Sequence, residues 1–168
     1  MIVLMAGLPG TGKSALAREL AKELAGTVLS KDEIRHTLFE PRDLEYSSQQ
    51  DDICMEVMLL TATFILRRDG ERVVFLDGRT FSRRSQIERV IEVAEQLGQS
   101  WRILECVCSE QTAKERLGIQ RDHPAGNRDF ELYVQVRARF EEIVPPKTLV
   151  NTDRPLEECV QQGLTALR

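Results

Sequence analysis

Residues 7 to 14 read Gly7-Leu8-Pro9-Gly10-Thr11-Gly12-Lys13-Ser14, three glycines and then a lysine and a hydroxyl at consecutive positions. The spacing is G-x-x-x-x-G-K-[ST], and the chemistry it suits is the holding of phosphate groups. Backbone N–H groups must turn inward around the anion, and side chains at Gly7, Gly10 and Gly12 would obstruct that approach. Lys13 supplies a point charge for β- and γ-phosphates, and the Ser14 hydroxyl supplies a ligand for Mg²⁺. With Ala15, these residues are the expected nucleotide-binding set. A plain glycine turn has no need of a lysine and a hydroxyl directly after the last glycine.

Three further groups of residues could complete such a site. Val73-Val74-Phe75-Leu76-Asp77 is an apolar run that ends in a carboxylate. Asp77 is therefore expected at the C-terminal edge of a strand, where ligands of open α/β sheets bind, as a second Mg²⁺ contact. Ser30 and Glu33 have capping-box spacing, which puts Asp32 in a first helical turn with Arg35 on the same face. A carboxylate fixed there suits a general base; the bland alternative is a charge that complements the helix dipole and pairs with Arg35. Arg116 and Arg121 flank the end of a helix that runs into a polar loop, and Arg128 closes the loop. Cations so placed could fold over a triphosphate and stabilise charge on the transferring group.

These residues need a frame. Apolar runs of strand length occur at 1–6, 27–30, 72–77, 101–108 and 147–151, separated by amphipathic stretches, which predicts an α/β domain around one five-stranded parallel sheet. The phosphate loop follows the first run and opens a helix whose positive N-terminal end adds to the anion site. Helical spacing places Leu16, Leu20 and Leu24 on one buried face, then Ile53, Val57, Leu60 and Phe64, then Ile87, Val90, Ile91, Ala94 and Leu97. Tyr133, Val136, Phe140 and Ile143 predict a helix ended by Pro145-Pro146. Pro155 opens a last helix, with Leu156, Val160, Leu164 and Leu167. Residues 41–49 and 120–129 read as polar loops.

At 168 residues, one domain is expected, and no apolar run approaches the length of a membrane helix. Cys54, Cys106, Cys108 and Cys159 lack a metal-site spacing, so reduced thiols and a cytoplasmic location are expected. A net charge of -4 argues against a surface made as a whole for nucleic acid, while leaving room for a local basic groove.

Taken in order, Gly7 to Ser14, Ser30-Lys31-Asp32-Glu33-Ile34-Arg35, Leu76-Asp77-Gly78-Arg79 and the segment from Arg116 to Arg121 resemble the small P-loop kinases. That group includes polynucleotide 5′-hydroxyl kinases, zeta toxins, chloramphenicol phosphotransferase and gluconate kinase. The resemblance implies a P-loop NTPase fold, a three-layer α/β sandwich with sheet order 2-3-1-4-5, spanning residues 1–168. It implies ATP with Mg²⁺, and a mobile lid at about 117–129 carrying arginines. It also implies that Asp32 is the base, that Arg35 binds the acceptor, and that the γ-phosphate passes to a hydroxyl group. The acceptor stays open: a small molecule, or a nucleic-acid 5′-hydroxyl that the net charge does not favour. Two other readings are a nucleotide-dependent switch acting on a protein partner and a simple ATPase. No N-K-x-D tetrad for guanine is present.

Overall fold

A computed structural model describes residues 1–119 and 129–168. Its centre is β1, Ile2–Ala6, in which all five residues are buried. A strand apolar at every position can sit only where both faces are covered, and β1 is the middle of the sheet. After it come α1 (Lys13–Glu23), β2 (Thr27–Ser30), α2 (Lys31–Leu38), a 3-10 turn at Pro41–Asp43 and the long α3 (Ser48–Arg68). The second half runs β3 (Val74–Asp77), α4 (Arg84–Gln96), β4 (Trp101–Val107), α5 (Glu110–Ile119), α6 (Phe130–Ala138), β5 (Thr148–Asn151) and α7 (Leu156–Leu167). The strands are parallel in the order β2-β3-β1-β4-β5.

Alternation along β1 divides the core into two layers. Ile2, Leu4 and Ala6 pack with Met55, Met58 and Leu59 of α3 and with Ile87 and Val90 of α4. Val3 and Met5 face the other way, against Leu16 and Leu20 of α1 and Cys159 and Val160 of α7. Helices thus cover both faces, and all five strands point their C-terminal ends to the edge where the glycine loop lies. All four cysteines are free thiols.

Two expectations about helices are corrected. Ile53, Val57, Leu60 and Phe64 do not form the buried face of α3: Leu60 is 69% exposed and Phe64 62%. Cys54, Met55, Met58, Leu59, Ala62 and Leu66 are buried instead. The helix is apolar on two sides, so spacing alone could not say which one meets the sheet. The helix from Phe130 ends at Ala138 and not at the prolines. Beyond it, the Glu141 N–H donates to the Ser82 carbonyl at 2.9 Å, drawing the chain toward the start of α4. Ile143 is still buried and Phe140 half-buried against the same core, so their spacing reported burial correctly but not helix.

Candidate active site

The glycine loop leaves β1 and is wedged against its neighbours. Gly7 has φ +128°, and a Cβ there would lie 2.3 Å from the Cys106 carbonyl oxygen; at Gly10 it would lie 2.9 Å from the Ala113 carbonyl oxygen. These two glycines are therefore required by the close approach of β4 and α5, before any phosphate is considered. Gly12, in the left-handed region at φ +78°, starts α1. Lys13 is buried and donates to the carbonyls of Gly7 at 2.9 Å and Leu8 at 2.7 Å. The Thr11 hydroxyl donates to the Leu8 carbonyl at 2.8 Å. Pro9 is buried, Ser14 half-buried at the start of α1, and Ala15 exposed.

Next to this loop, β2 and β3 end in register, with Ser30 beside Asp77. Asp77 is buried, and its Oδ1 has no hydrogen-bond partner among the described residues. An orphaned buried carboxylate oxygen at the phosphate end of the sheet fits a cation ligand. Among the described residues, no group of three or more His, Cys, Asp or Glu could hold a metal ion. Asp77 and Ser14 are the residues at this edge that could hold Mg²⁺.

Ser30 caps α2, its hydroxyl accepting from the Glu33 N–H at 3.4 Å. The cap leads directly into a set of buried charges. Asp32 is 6% exposed, with Oδ1 3.4 Å from Arg35 Nη1 and 3.6 Å from Lys31 Nζ. Arg35, only 1% exposed, also donates to Asp51 and lies 5.0 Å from the centre of the Tyr46 ring. Lys31 Nζ donates to the same Asp51 oxygen at 2.7 Å. Charges this deep persist only when paired, and two cations here meet two carboxylates.

Asp51 lies in the first turn of α3, and the loop before that helix is fixed by Gln50. The Gln50 side chain donates to the Asp43 carbonyl and accepts from the Glu45 N–H. Beside it, Asp52 accepts from Arg79 Nη2 at 2.7 Å. Sequence reasoning missed Asp51, Asp52 and Arg79 as site residues. Arg79 follows Asp77-Gly78 and could have been marked from that position; the paired acids of α3 carry no local signal.

The arginines expected at the lid are placed as follows. Arg116, on α5, donates to the Thr152 carbonyl at 2.7 Å and the Thr152 hydroxyl at 3.0 Å. Thr152 in turn donates to the Thr11 carbonyl at 3.0 Å, so Arg116 is linked through it to the glycine loop. Of the segment 117–129, the structure describes the end of α5 and Asp129, which caps α6 by accepting from the Leu132 N–H at 2.8 Å. Arg121 and Arg128 lie outside the described residues.

Lys13, Asp32 and Arg35 line one cleft of about 160 Å³, together with Pro9, Tyr46 and Asp51. Its far side is formed by Arg79, Arg83 and Gln86 around the start of α4 and by Leu132, Val136 and Arg139 of the α6 region. The structure thus brings the phosphate-loop lysine and the capped carboxylate of α2 to one cavity.

A parallel sheet of order 2-3-1-4-5, with this glycine loop between its central strand and first helix, defines the P-loop NTPase fold. Residues 2–143 match the AAA domain family, and the chain belongs to that family. No curated protein matches it. Among solved structures it is similar to a sugar kinase from Janibacter sp. HTCC2649, at 17% identity and TM-score 0.72 over 99% of this chain and 93% of that one. It is similar to the Mycobacterium tuberculosis APS kinase in complex with AMPPNP and APS, at 21% identity and TM-score 0.74 over 99% and 96%. A gluconokinase from Sinorhizobium meliloti 1021 aligns at 18% identity and TM-score 0.68 over 99% and 90%. The P-loop kinase fold is common to all three. Among the described residues no helix is long and apolar enough to cross a membrane.

Proposed function

We propose that this chain is an ATP-dependent kinase that transfers the γ-phosphate to a hydroxyl group of an acceptor. The observation that carries the reading is Asp32: a buried, capped carboxylate lining the same cleft as the phosphate-loop lysine. A nucleotide switch needs no such group, and the transfer assay separates a kinase from an ATPase, which would use a carboxylate there to orient water. The names of the similar structures, kinases of a sugar, of APS and of gluconate, agree with phosphoryl transfer.

In this reading, the loop from Gly7 to Ala15, through backbone N–H groups of its Gly10 to Ala15 part, and the Lys13 ammonium hold the β- and γ-phosphates. Ser14 and Asp77 would hold Mg²⁺, which supplies positive charge against the phosphate oxygens. Asp32 Oδ takes the proton of the acceptor hydroxyl as its oxygen bonds to the γ-phosphorus, while the bond to the β,γ-bridging oxygen breaks and ADP leaves with that electron pair. Lys31 and Arg35 fix the Asp32 carboxylate in place, and Arg35 orients the acceptor. Arg116 acts through Thr152 as a clamp on the glycine loop. Four free thiols agree with a reducing, cytoplasmic setting.

The test is transfer from γ-labelled ATP to a panel of alcohols, sugars, nucleosides and 5′-hydroxyl oligonucleotides, with wild type and Asp32→Asn. The expected outcome is transfer to an acceptor, lowered about 10²- to 10⁴-fold by Asp32→Asn, with nucleotide affinity nearly unchanged. Near-normal transfer by folded Asp32→Asn would overturn the role of this residue. Hydrolysis with no transfer to any acceptor would favour an ATPase.

A further inference from the structure

The geometry points to an acceptor that carries an anionic group, a carboxylate or a phosphate monoester, docked on Arg79, Arg83 and Arg139 in exchange for Asp52. This rests on the kinase reading, since it describes the part of the same cleft that lies beyond the transferring groups.

The charge of the cleft differs from that of the chain. Although the whole molecule is acidic at -4, the cleft is lined by Lys31, Arg35, Arg79, Arg83 and Arg139 beyond the phosphate-loop lysine. Among the described residues that line it, only Asp32 and Asp51 are acidic, and these two are the partners of Lys31 and Arg35. Three arginines remain. Arg83 and Arg139 form no ion pair with any described residue, and both side chains are exposed enough to swing toward a ligand. They are held near one another by the backbone: the Glu141 N–H bonds the Ser82 carbonyl at 2.9 Å, and Glu141 Oε2 accepts from the Arg84 N–H at 2.7 Å. The exit of α6 is thereby tied to the entry of α4.

Arg79 is the second, independent observation. It is 8% exposed, yet its Nε is buried without a hydrogen-bond partner among the described residues. Its one ion pair among the described residues is to Asp52, whose side chain is 67% exposed. A buried guanidinium left partly unsatisfied, and matched to a carboxylate standing in water, is a poor structural pair. Water can take over Asp52 readily, which frees the Arg79 fork for a carboxylate or phosphate, the anions it fits with two parallel bonds. Arg79 and Gln86 also line a neighbouring cavity shared with Asp52 and Arg89, so the exchange happens at a junction with room for the displaced side chain.

The test uses the full-length protein with Mg²⁺ and saturating AMPPNP, so that the phosphate loop is filled. Sodium sulfate, glycerol 3-phosphate, gluconate and neutral glycerol are titrated calorimetrically at constant ionic strength. Saturable binding of sulfate and of glycerol 3-phosphate or gluconate is expected, with none of glycerol; which organic anion binds tells phosphate from carboxylate. Arg79→Gln should weaken the anions by about tenfold or more, and so should the exposed double change Arg83→Gln with Arg139→Gln, which avoids any doubt over folding. Asp52→Asn should tighten them by about threefold, because the competitor is gone. Anion binding unmoved by the arginine changes, weaker binding by Asp52→Asn, or equal transfer to glycerol and glycerol 3-phosphate would each overturn the proposal. Anion binding as expected with no transfer to any acceptor would instead overturn the kinase reading and leave the anion site standing.

Discussion

Lys13 is folded back on the loop that presents it, giving its charge to the carbonyls of Gly7 and Leu8. In the proposed kinase, carbonyls compete weakly with a triphosphate for an ammonium, and the side chain lies close to where it would be used. Lys13→Ala should fold, shown by an unchanged circular dichroism spectrum, while transfer falls by about 10²-fold or more for want of the positioned cation. Arg116 makes a different prediction. Because it reaches Thr152 and through it the Thr11 carbonyl, Arg116→Gln should raise the KM for ATP and lower urea stability by about 1–2 kcal/mol, with kcat little changed. A large fall in kcat at unchanged KM would mean that it touches the transferring phosphate instead. Asp32 and Arg35 were legible in the sequence because one helical turn and its cap place both. Asp51, Asp52, Arg79 and Arg139 come from three other elements and meet only in the fold, so no local spacing could announce them.

At the scale of elements, the strands were the most readable part, since β1 and β3 are buried along their whole length and their apolar runs have no other use. Helices were harder. In α3 both the buried set around Met58 and the exposed set around Leu60 satisfy a period near 3.6, and only the position of the sheet separates them. The difference is measurable. Met58→Ala should lower stability by about 2–5 kcal/mol in denaturant titration, whereas Leu60→Ser and Phe64→Ser should stay within about 0.5 kcal/mol of wild type. The sequence beyond α6 shows the converse limit. Phe140 and Ile143 keep helical spacing, yet a hydrogen bond from Glu141 to Ser82, 59 residues earlier in the chain, decides their backbone.

The whole molecule imposes its own chemistry on the thiols. Burial pushes the Cys106 thiol up to about 12 from an ordinary value of 9, with Lys13 nearby opposing the shift. The raised value means that Cys106 contributes stability below pH 9 that is lost as the pH climbs toward 12. Native protein treated with iodoacetamide at pH 8 should therefore leave Cys106 unlabelled, and peptide mapping should find it labelled only after unfolding. That same residue also stands against the glycine loop, far along the chain from it. β1 is synthesised before its neighbours but belongs in the middle of the sheet, with register partners at 74–76 and 101–105. The glycine loop leans on Thr80, the Cys106 carbonyl and Ala113. The phosphate-binding motif is thus complete in the nascent chain well before the residues that shape it have been made. A fragment ending at Ser100 lacks β4 and α5 and should show no binding of a fluorescent ATP analogue, however intact its first fourteen residues.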